Sequence, residues 1–170
     1  LMYQGTTLIV GCGEGFVAAE LDASVAIDFD RDKVTAARER FSWIDFQWAL
    51  GVRLLCPDKC FDRVVITDLW RGLGRICLGK LLREAVTVGR EVFVLYTHEF
   101  KPSLPEGCAW HSADILYKVC GKLKLCCIPI ALEDISVCEV YRIGAPDTAI
   151  DERVALPLDE ETCEVVALAN

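Results

Sequence analysis

Three glycines and one aspartate near the start of the chain have the types and spacing to hold a ligand. Gly11, Gly13 and Gly15 stand at alternating positions directly after an apolar run. Because they have no Cβ atom, they let the backbone turn sharply and bring its N–H groups close to a bound molecule. A second apolar run ends on Asp28, whose carboxylate can accept hydrogen bonds from the two hydroxyls of a ribose. Together these residues predict a site for a cofactor that contains a nucleoside.

The segments around these residues predict a βαβ unit. Residues 8–10 and 25–27 are short apolar runs of the kind found in buried strands, and a short helical piece follows Gly15. The positive end of that helix would point at the glycine turn. Asp28 would then lie at the tip of the strand next to this turn.

The rest of the chain continues to alternate between strand and helix patterns, which predicts an α/β fold. We expect the last helix to end at Gly121, since glycine commonly follows a helix C-terminus. The predicted helices cover residues 31–41, 71–89 and 111–120, and the predicted strands cover residues 43–50, 63–66, 91–96, 123–131 and 135–142.

Two side chains that could transfer protons follow predicted strands. Asp68 comes just after the strand at 63–66, and His98 just after the strand at 91–96. Ligands of open parallel sheets bind outside the carboxyl ends of the strands, so both are candidate catalytic residues. Asp68 could act as a general base or orient a substrate, and His98 suits proton transfer near neutral pH. The alternatives are a helix N-cap for Asp68 and a surface position for His98. Trp70 could form a wall of the same pocket.

The order and spacing of these motifs resemble the class I S-adenosylmethionine-dependent methyltransferases over roughly residues 6–142. The three glycines and Asp28 match the first and second motifs of that family in order, and residues 60–68 resemble its fourth strand. The resemblance implies a Rossmann-like, doubly wound, mostly parallel sheet of about seven strands, closed by a C-terminal antiparallel pair.

The resemblance also implies S-adenosylmethionine as the cofactor. The three glycines would face its methionine part, Asp28 its ribose, and Phe29 its adenine ring, although a core role for Phe29 is an alternative. The expected activity is methyl transfer to a small molecule or a protein.

Two other functions stay open on the same residues. Ile9 and Leu50 stand where members of the family often carry acidic residues, and the helix after Gly15 is about one turn short. These features favour a non-catalytic methyltransferase-like subunit that binds a partner protein. A further alternative is aminopropyl transfer of the spermidine synthase type, because those enzymes resemble this chain in often carrying an apolar residue at the place of Ile9.

The net charge of the chain limits the kinds of partner that it can bind. The net charge of −8 over 170 residues argues against an extended nucleic-acid surface. Arg71, Arg75, Lys80 and Arg83 fall within one predicted helix; an RNA contact is the sharper hypothesis for them, and a solvated helix face is the simpler one. No apolar run approaches the ~18 residues of a membrane span, so we expect no membrane association.

The ten cysteines, with no recognisable secretion signal, predict a reducing and cytoplasmic environment. Cys56 and Cys60 have the spacing of a zinc half-site, and Cys108 with His111 could supply the other half. No regular second half follows in the sequence, so we expect a plain loop and no metal. Six other cysteines have apolar neighbours and are predicted to be small core residues: Cys12, Cys77, Cys120, Cys126, Cys127 and Cys138.

The chain divides into a methyltransferase-like domain at residues 1–143 and an acidic C-terminal extension at residues 144–170. The extension combines acidic residues and two prolines with two short apolar stretches. It could form a hairpin on the sheet or an arm that binds a second copy of the chain or a partner protein. A loosely ordered tail is the simpler alternative.

Overall fold

A computed structural model of the chain describes residues 5–97, 112–130 and 138–145. These residues form seven strands, four α-helices and one 3₁₀ helix. The strands are β1 (Thr7–Val10), β2 (Val25–Asp28), β3 (Asp45–Trp48), β4 (Phe61–Ile66), β5 (Gly89–Thr97), β6 (Cys126–Ile130) and β7 (Cys138–Gly144); the helices are α1 (Phe16–Glu20), α2 (Arg31–Arg40), α3 (Arg75–Val88) and α4 (Ala113–Leu123), and the 3₁₀ helix is Asp68–Gly72.

The strands form one sheet in the order β3-β2-β1-β4-β5-β7-β6. The first five strands in this order are parallel, whereas β7 is antiparallel to both β5 and β6. This confirms the predicted α/β fold with a mostly parallel sheet of seven strands and a C-terminal antiparallel pair.

Alternate residues of the central strands build two separate cores, one on each face of the sheet. In β1, Leu8 and Val10 belong to a first cluster, and Ile9 belongs to a second. The buried side chains of α3 and α4 belong to the first cluster, and those of α1 and α2 to the second. The sheet is therefore covered by helices on both faces, and this explains the apolar composition of its strands.

The helix predicted at residues 71–89 begins later than expected. Asp68–Gly72 forms a 3₁₀ turn, and α3 begins only at Arg75. Gly72 and Gly74 disfavour continuous helix in this stretch. Arg71, expected on the same helix, is instead buried, with its guanidinium 4.5 Å from the ring centre of Tyr96.

The last helix also differs from its prediction, because Gly121 does not end it. The helix α4 continues to Leu123, and Lys124 adopts the left-handed conformation with φ 57°. Lys124 donates its backbone N–H to the carbonyl of Gly121 at 3.2 Å. A Cβ atom at Gly121 would meet nothing within 4 Å. Packing therefore does not require glycine at this helical position.

The cysteines divide by position on their elements. Cys12, Cys120 and Cys138 are buried as predicted, and Cys126 and Cys127 are half-buried. The prediction for Cys77 is wrong, because this thiol is exposed. Cys77 lies in the first turn of α3, and the buried positions of this helix begin only at Leu78. Within the described ranges, no helix is long and apolar enough to cross a membrane.

The outer strands of the described sheet are short and interrupted. One edge is β3, a strand of four residues. The other is β6, in which Pro129 pairs with Tyr141 of β7. Proline has no backbone N–H to donate, so it is tolerated on an edge strand.

A buried ion pair joins the antiparallel strand to the parallel part of the sheet. Arg142 of β7 donates from Nε and Nη2 to the two carboxylate oxygens of Glu91 of β5, at 2.5 and 2.7 Å. Both side chains are only 10 % exposed. Such a two-point geometry satisfies both charged groups away from water.

We expect Glu91→Gln to destabilise the fold by about 3–5 kcal/mol, since it removes the carboxylate that the buried Arg142 guanidinium contacts at two points. Urea unfolding followed by circular dichroism measures this change. The matched control is Arg90→Gln, because the neighbouring Arg90 makes an ion pair with Asp62 while 63 % exposed. The control should cost under about 1 kcal/mol; equal losses in the two variants would contradict the assignment.

Candidate functional site

The glycine turn wraps around the end of β2. Gly11, Gly13 and Gly15 all have positive φ, at 85°, 54° and 94°. The backbone N–H groups of Gly11 and Cys12 both donate to the carbonyl of Ile27, at 2.9 and 3.1 Å. The turn is thereby held beside the carboxyl end of the neighbouring strand.

Asp28 is hydrogen-bonded to this turn. Its buried carboxylate accepts from the backbone N–H of Gly13 at 2.8 Å through Oδ2 and from the N–H of Asp30 at 2.9 Å through Oδ1. An ionised carboxylate offers about four acceptor positions, so each oxygen retains capacity for a further donor. The residues predicted to form one site are therefore adjacent, and their role toward a cofactor stays a prediction.

Gly15 is constrained by packing as well as by its backbone conformation. A Cβ atom at this position would lie 2.8 Å from Phe46 Cζ, 2.9 Å from Phe41 Cδ2 and 3.0 Å from the Cβ of Ala37. These side chains come from β3 and from the helix α2 and its end. Glycine is therefore required here by close packing between elements. The sequence pattern alone attributes the same glycine to ligand binding.

Two aromatic side chains lie at the rim beside Asp28. Phe29 is 52 % exposed, so the alternative of a core role for it is wrong. Trp48 pairs with Asp28 in the sheet, and its indole N–H donates to the carbonyl of Phe29 at 2.7 Å. The guanidinium of Arg31 lies 4.1 Å from the centre of the Trp48 ring. Trp48 was missed by the sequence reasoning, although an aromatic residue ending the third strand was a usable signal.

Thr67 connects the end of β4 to the glycine turn. This buried side chain donates its hydroxyl to the carbonyl of Gly11 at 2.6 Å, and its backbone N–H donates to Val10 at 3.0 Å. The sequence places Thr67 at the end of this strand, beside Asp68, but indicates no separate role for its hydroxyl. Its contacts place the beginning of the 3₁₀ helix, and with it the backbone of Asp68, beside the turn.

The structure does not describe the side chains of the two predicted catalytic residues. His98 lies outside the described residues, and the side chain of Asp68 does too, although its backbone is described. Trp70 is fully buried in the first cluster and donates its indole N–H to the carbonyl of Leu95 at 2.9 Å. It therefore does not form the pocket wall that was expected.

The positions that often carry acids in the resembling family have different surroundings. Ile9 is fully buried in the second cluster, whereas Leu50 is 66 % exposed. Neither can supply a carboxylate to a ligand. A cofactor bound here would depend on the backbone of the turn and on Asp28.

Cys12 lies inside the glycine turn and is buried. Burial, with a smaller effect of the nearby Asp28 carboxylate, raises the pKa of its thiol to about 12. The thiol therefore stays protonated and neutral at physiological pH, which makes Cys12 a packing residue of the turn.

The residues that the structure describes contain no group of three or more His, Cys, Asp or Glu that could hold a metal ion. Burial, followed by the effect of the Cys56 thiol, raises the pKa of the Cys60 thiol. Cys108 and His111, which could supply the other half of a zinc site, lie outside the described residues.

The fold is shared with solved methyltransferase structures. An S-adenosylmethionine-dependent methyltransferase from Methanosarcina mazei is 14 % identical, with a TM-score of 0.62 over 84 % of this chain and 92 % of that one. Magnesium protoporphyrin IX methyltransferase from Synechocystis, solved with bound S-adenosylmethionine, is 10 % identical, with a TM-score of 0.57 over 82 % and 69 % of the two chains.

The same fold occurs in a protein with another activity in its name. The [4+2]-cyclase SpnF is 21 % identical, with a TM-score of 0.59 over 78 % of this chain and 55 % of that one. No family model and no curated protein matches the sequence. The chain has the class I S-adenosylmethionine-dependent methyltransferase fold.

Gly15→Ala should destabilise the fold by roughly 1–3 kcal/mol, because the new methyl group meets aromatic side chains and the backbone conformation is strained. The matched control is Gly121→Ala, at a helical position with open space around it. The control should stabilise the fold by up to about 1 kcal/mol. Thermal unfolding compares the two variants, and a neutral Gly15→Ala would contradict the packing.

Stability should fall as the pH rises above about 9, the range in which a thiol of ordinary pKa ionises in the unfolded chain. The raised pKa of Cys12 means that the folded state keeps this proton up to about pH 12, so each pH unit in this window costs up to ~1.4 kcal/mol. Urea unfolding at several alkaline pH values measures the slope. Cys12→Ala should give a shallower slope than the unsubstituted chain, and parallel curves would contradict the prediction.

Proposed function

We propose that this chain is an S-adenosylmethionine-dependent methyltransferase that acts on a small molecule or a protein. The observation that carries the proposal is the buried Asp28 carboxylate, hydrogen-bonded to Gly13 of the glycine turn at 2.8 Å. It lies at the carboxyl edge of a sheet whose fold is shared with S-adenosylmethionine-dependent methyltransferases. Ligands of such sheets bind at this edge.

The residues present fit the cofactor in three places. Asp28 has remaining acceptor capacity for the two ribose hydroxyls. The N–H groups of Gly11 and Gly13 are bonded within the protein, but the absence of Cβ atoms at these glycines lets the methionine part approach the turn closely. Phe29 and Trp48 offer exposed aromatic surface beside Asp28 for the adenine ring. S-adenosylmethionine would supply a methyl group already activated on a sulfonium.

The remaining work of the protein is to hold the acceptor in line with that methyl group and, where needed, to remove a proton. Asp68 and His98 are our candidates for these roles. They follow β4 and β5 in the sequence, and these strands are parallel neighbours. The net charge of −8 favours a small molecule or a protein over a nucleic acid as the acceptor.

A non-catalytic methyltransferase-like subunit is the second candidate function. It is supported by the apolar Ile9 and Leu50 and by α1, which has only five residues and is ~7.5 Å long. The cyclase with the same fold supports it as well, because the fold is not restricted to methyl transfer. Aminopropyl transfer stays an alternative within the enzymes.

Calorimetric titration with S-adenosylmethionine and S-adenosylhomocysteine tests the proposal. We expect micromolar binding, about 8 kcal/mol, to both ligands. Asp28→Asn should weaken binding by about tenfold or more, because hydrogen bonds to a charged group contribute ~1.5–3 kcal/mol.

The matched control is Glu39→Gln, which removes an exposed charge from α2 without touching the turn. It should bind both ligands as the unsubstituted chain does. If the unsubstituted chain binds neither ligand, the enzyme proposal fails and the non-catalytic candidate replaces it. If Asp28→Asn binds normally, the cofactor lies elsewhere.

A further inference from the structure

A groove of about 530 Å³ runs between α3 and α4, on the face of the sheet opposite α1 and α2. Its apolar surface comes from Ile76 and Gly79 of α3 and from Ile115, Val119 and Leu123 of α4. Its remaining lining residues are all cationic: Arg75, Lys80, Arg83, Lys118 and Lys122.

The positive charge of this groove is concentrated and continues beyond it. Arg53 lines an adjoining cavity together with Lys80 and Arg83. Glu84 lines the same adjoining cavity, which therefore holds three cations and one acid, and its carboxylate accepts the backbone N–H of Leu54 at 2.9 Å. Like charges four residues apart on a helix, such as Lys118 and Lys122, repel each other. An anionic partner would relieve this repulsion.

The sequence contains a segment with complementary chemistry. Residues 146–170 carry seven acidic residues and one arginine, a net charge of −6 out of −8 for the whole chain. Within this segment, residues 154–158 and 165–168 are apolar, and acids lie between them. The segment therefore combines apolar stretches with acidic residues, and the groove combines an apolar floor with cationic residues. The two surfaces are complementary in charge and alike in apolar character.

The dimensions also match. The groove residues of α3 extend from Arg75 to Arg83, which is ~12 Å along a helix. An extended stretch of four or five residues is about 13–17 Å long. Ala145, the last described residue, lines a cavity together with Val86 near the end of α3. The 25 residues that follow can extend up to ~80 Å, so they reach the groove easily.

We propose that residues 146–170 bind this groove of their own chain, with an apolar stretch on its floor and acidic side chains paired with its cationic rim. Attachment at Ala145 favours this intramolecular arrangement, because a tethered segment has an effective concentration of about millimolar. The proposal is independent of the cofactor and of methyl transfer.

Carbodiimide cross-linking of the full chain, read by mass spectrometry, tests the proposal, because the reagent joins only amines and carboxylates that are in contact. We expect cross-links from Lys80 to acids within residues 159–164, and fewer of them at high salt. Lys118→Glu with Lys122→Glu should lower the yield at Lys80 roughly fivefold, as two exposed ion pairs are lost. Lys80 is unchanged in this variant and so acts as the reporter.

Two comparisons separate lost charge pairing from misfolding. Lys33→Glu, an exposed site on α2, should leave the yield at Lys80 unchanged. Adding Glu160→Lys and Glu161→Lys to the groove variant should restore the cross-links from Lys80 to Glu164. No cross-links in the unsubstituted chain, an unchanged yield in the groove variant, or cross-links only between isotopically distinct copies would each overturn the proposal.

Discussion

The parallel pairing of β1 with β2 on one side and β4 on the other is the constraint on which the rest of the structure depends. It aligns Val10 with Ile27 and with Ile66, so three strands end together at one edge. The glycine turn, Asp28 and Thr67 meet only because of this alignment. The same pairing directs alternate side chains of β1 into the two cores, so the site and the hydrophobic packing rest on one set of backbone hydrogen bonds.

Much of the fold could be predicted because its signals are local. Short apolar runs separated by helical periodicity predict buried parallel strands, and all seven strands were anticipated within a few residues. The adjacency of Gly13 and Asp28 also followed from the sequence, since a βαβ unit brings these positions to one edge. Asp30 caps α2 by accepting hydrogen bonds from the N–H groups of Asp32 and Lys33. Aspartate is a preferred N-cap residue, so the start of this helix also has a local signal.

The errors arose where long-range packing decides the outcome. Cys77 has apolar neighbours in the sequence, but it is exposed because it lies in the first turn of α3, before the buried positions begin. Trp70 follows a strand end as a pocket residue would, yet its indole finds the carbonyl of Leu95 and is buried. The crowding at Gly15 depends on Phe46, thirty-one positions away along the chain. Such contacts have no signature in a single stretch of sequence.

The edges of the described sheet limit how copies of this protein can associate. An exposed edge strand is a template for adding another chain, and short length or proline blunts it. The four-residue β3 offers little backbone for pairing, and Pro129 interrupts the donors of β6. Continuous sheets running from one molecule to the next are therefore disfavoured at both edges of the described sheet.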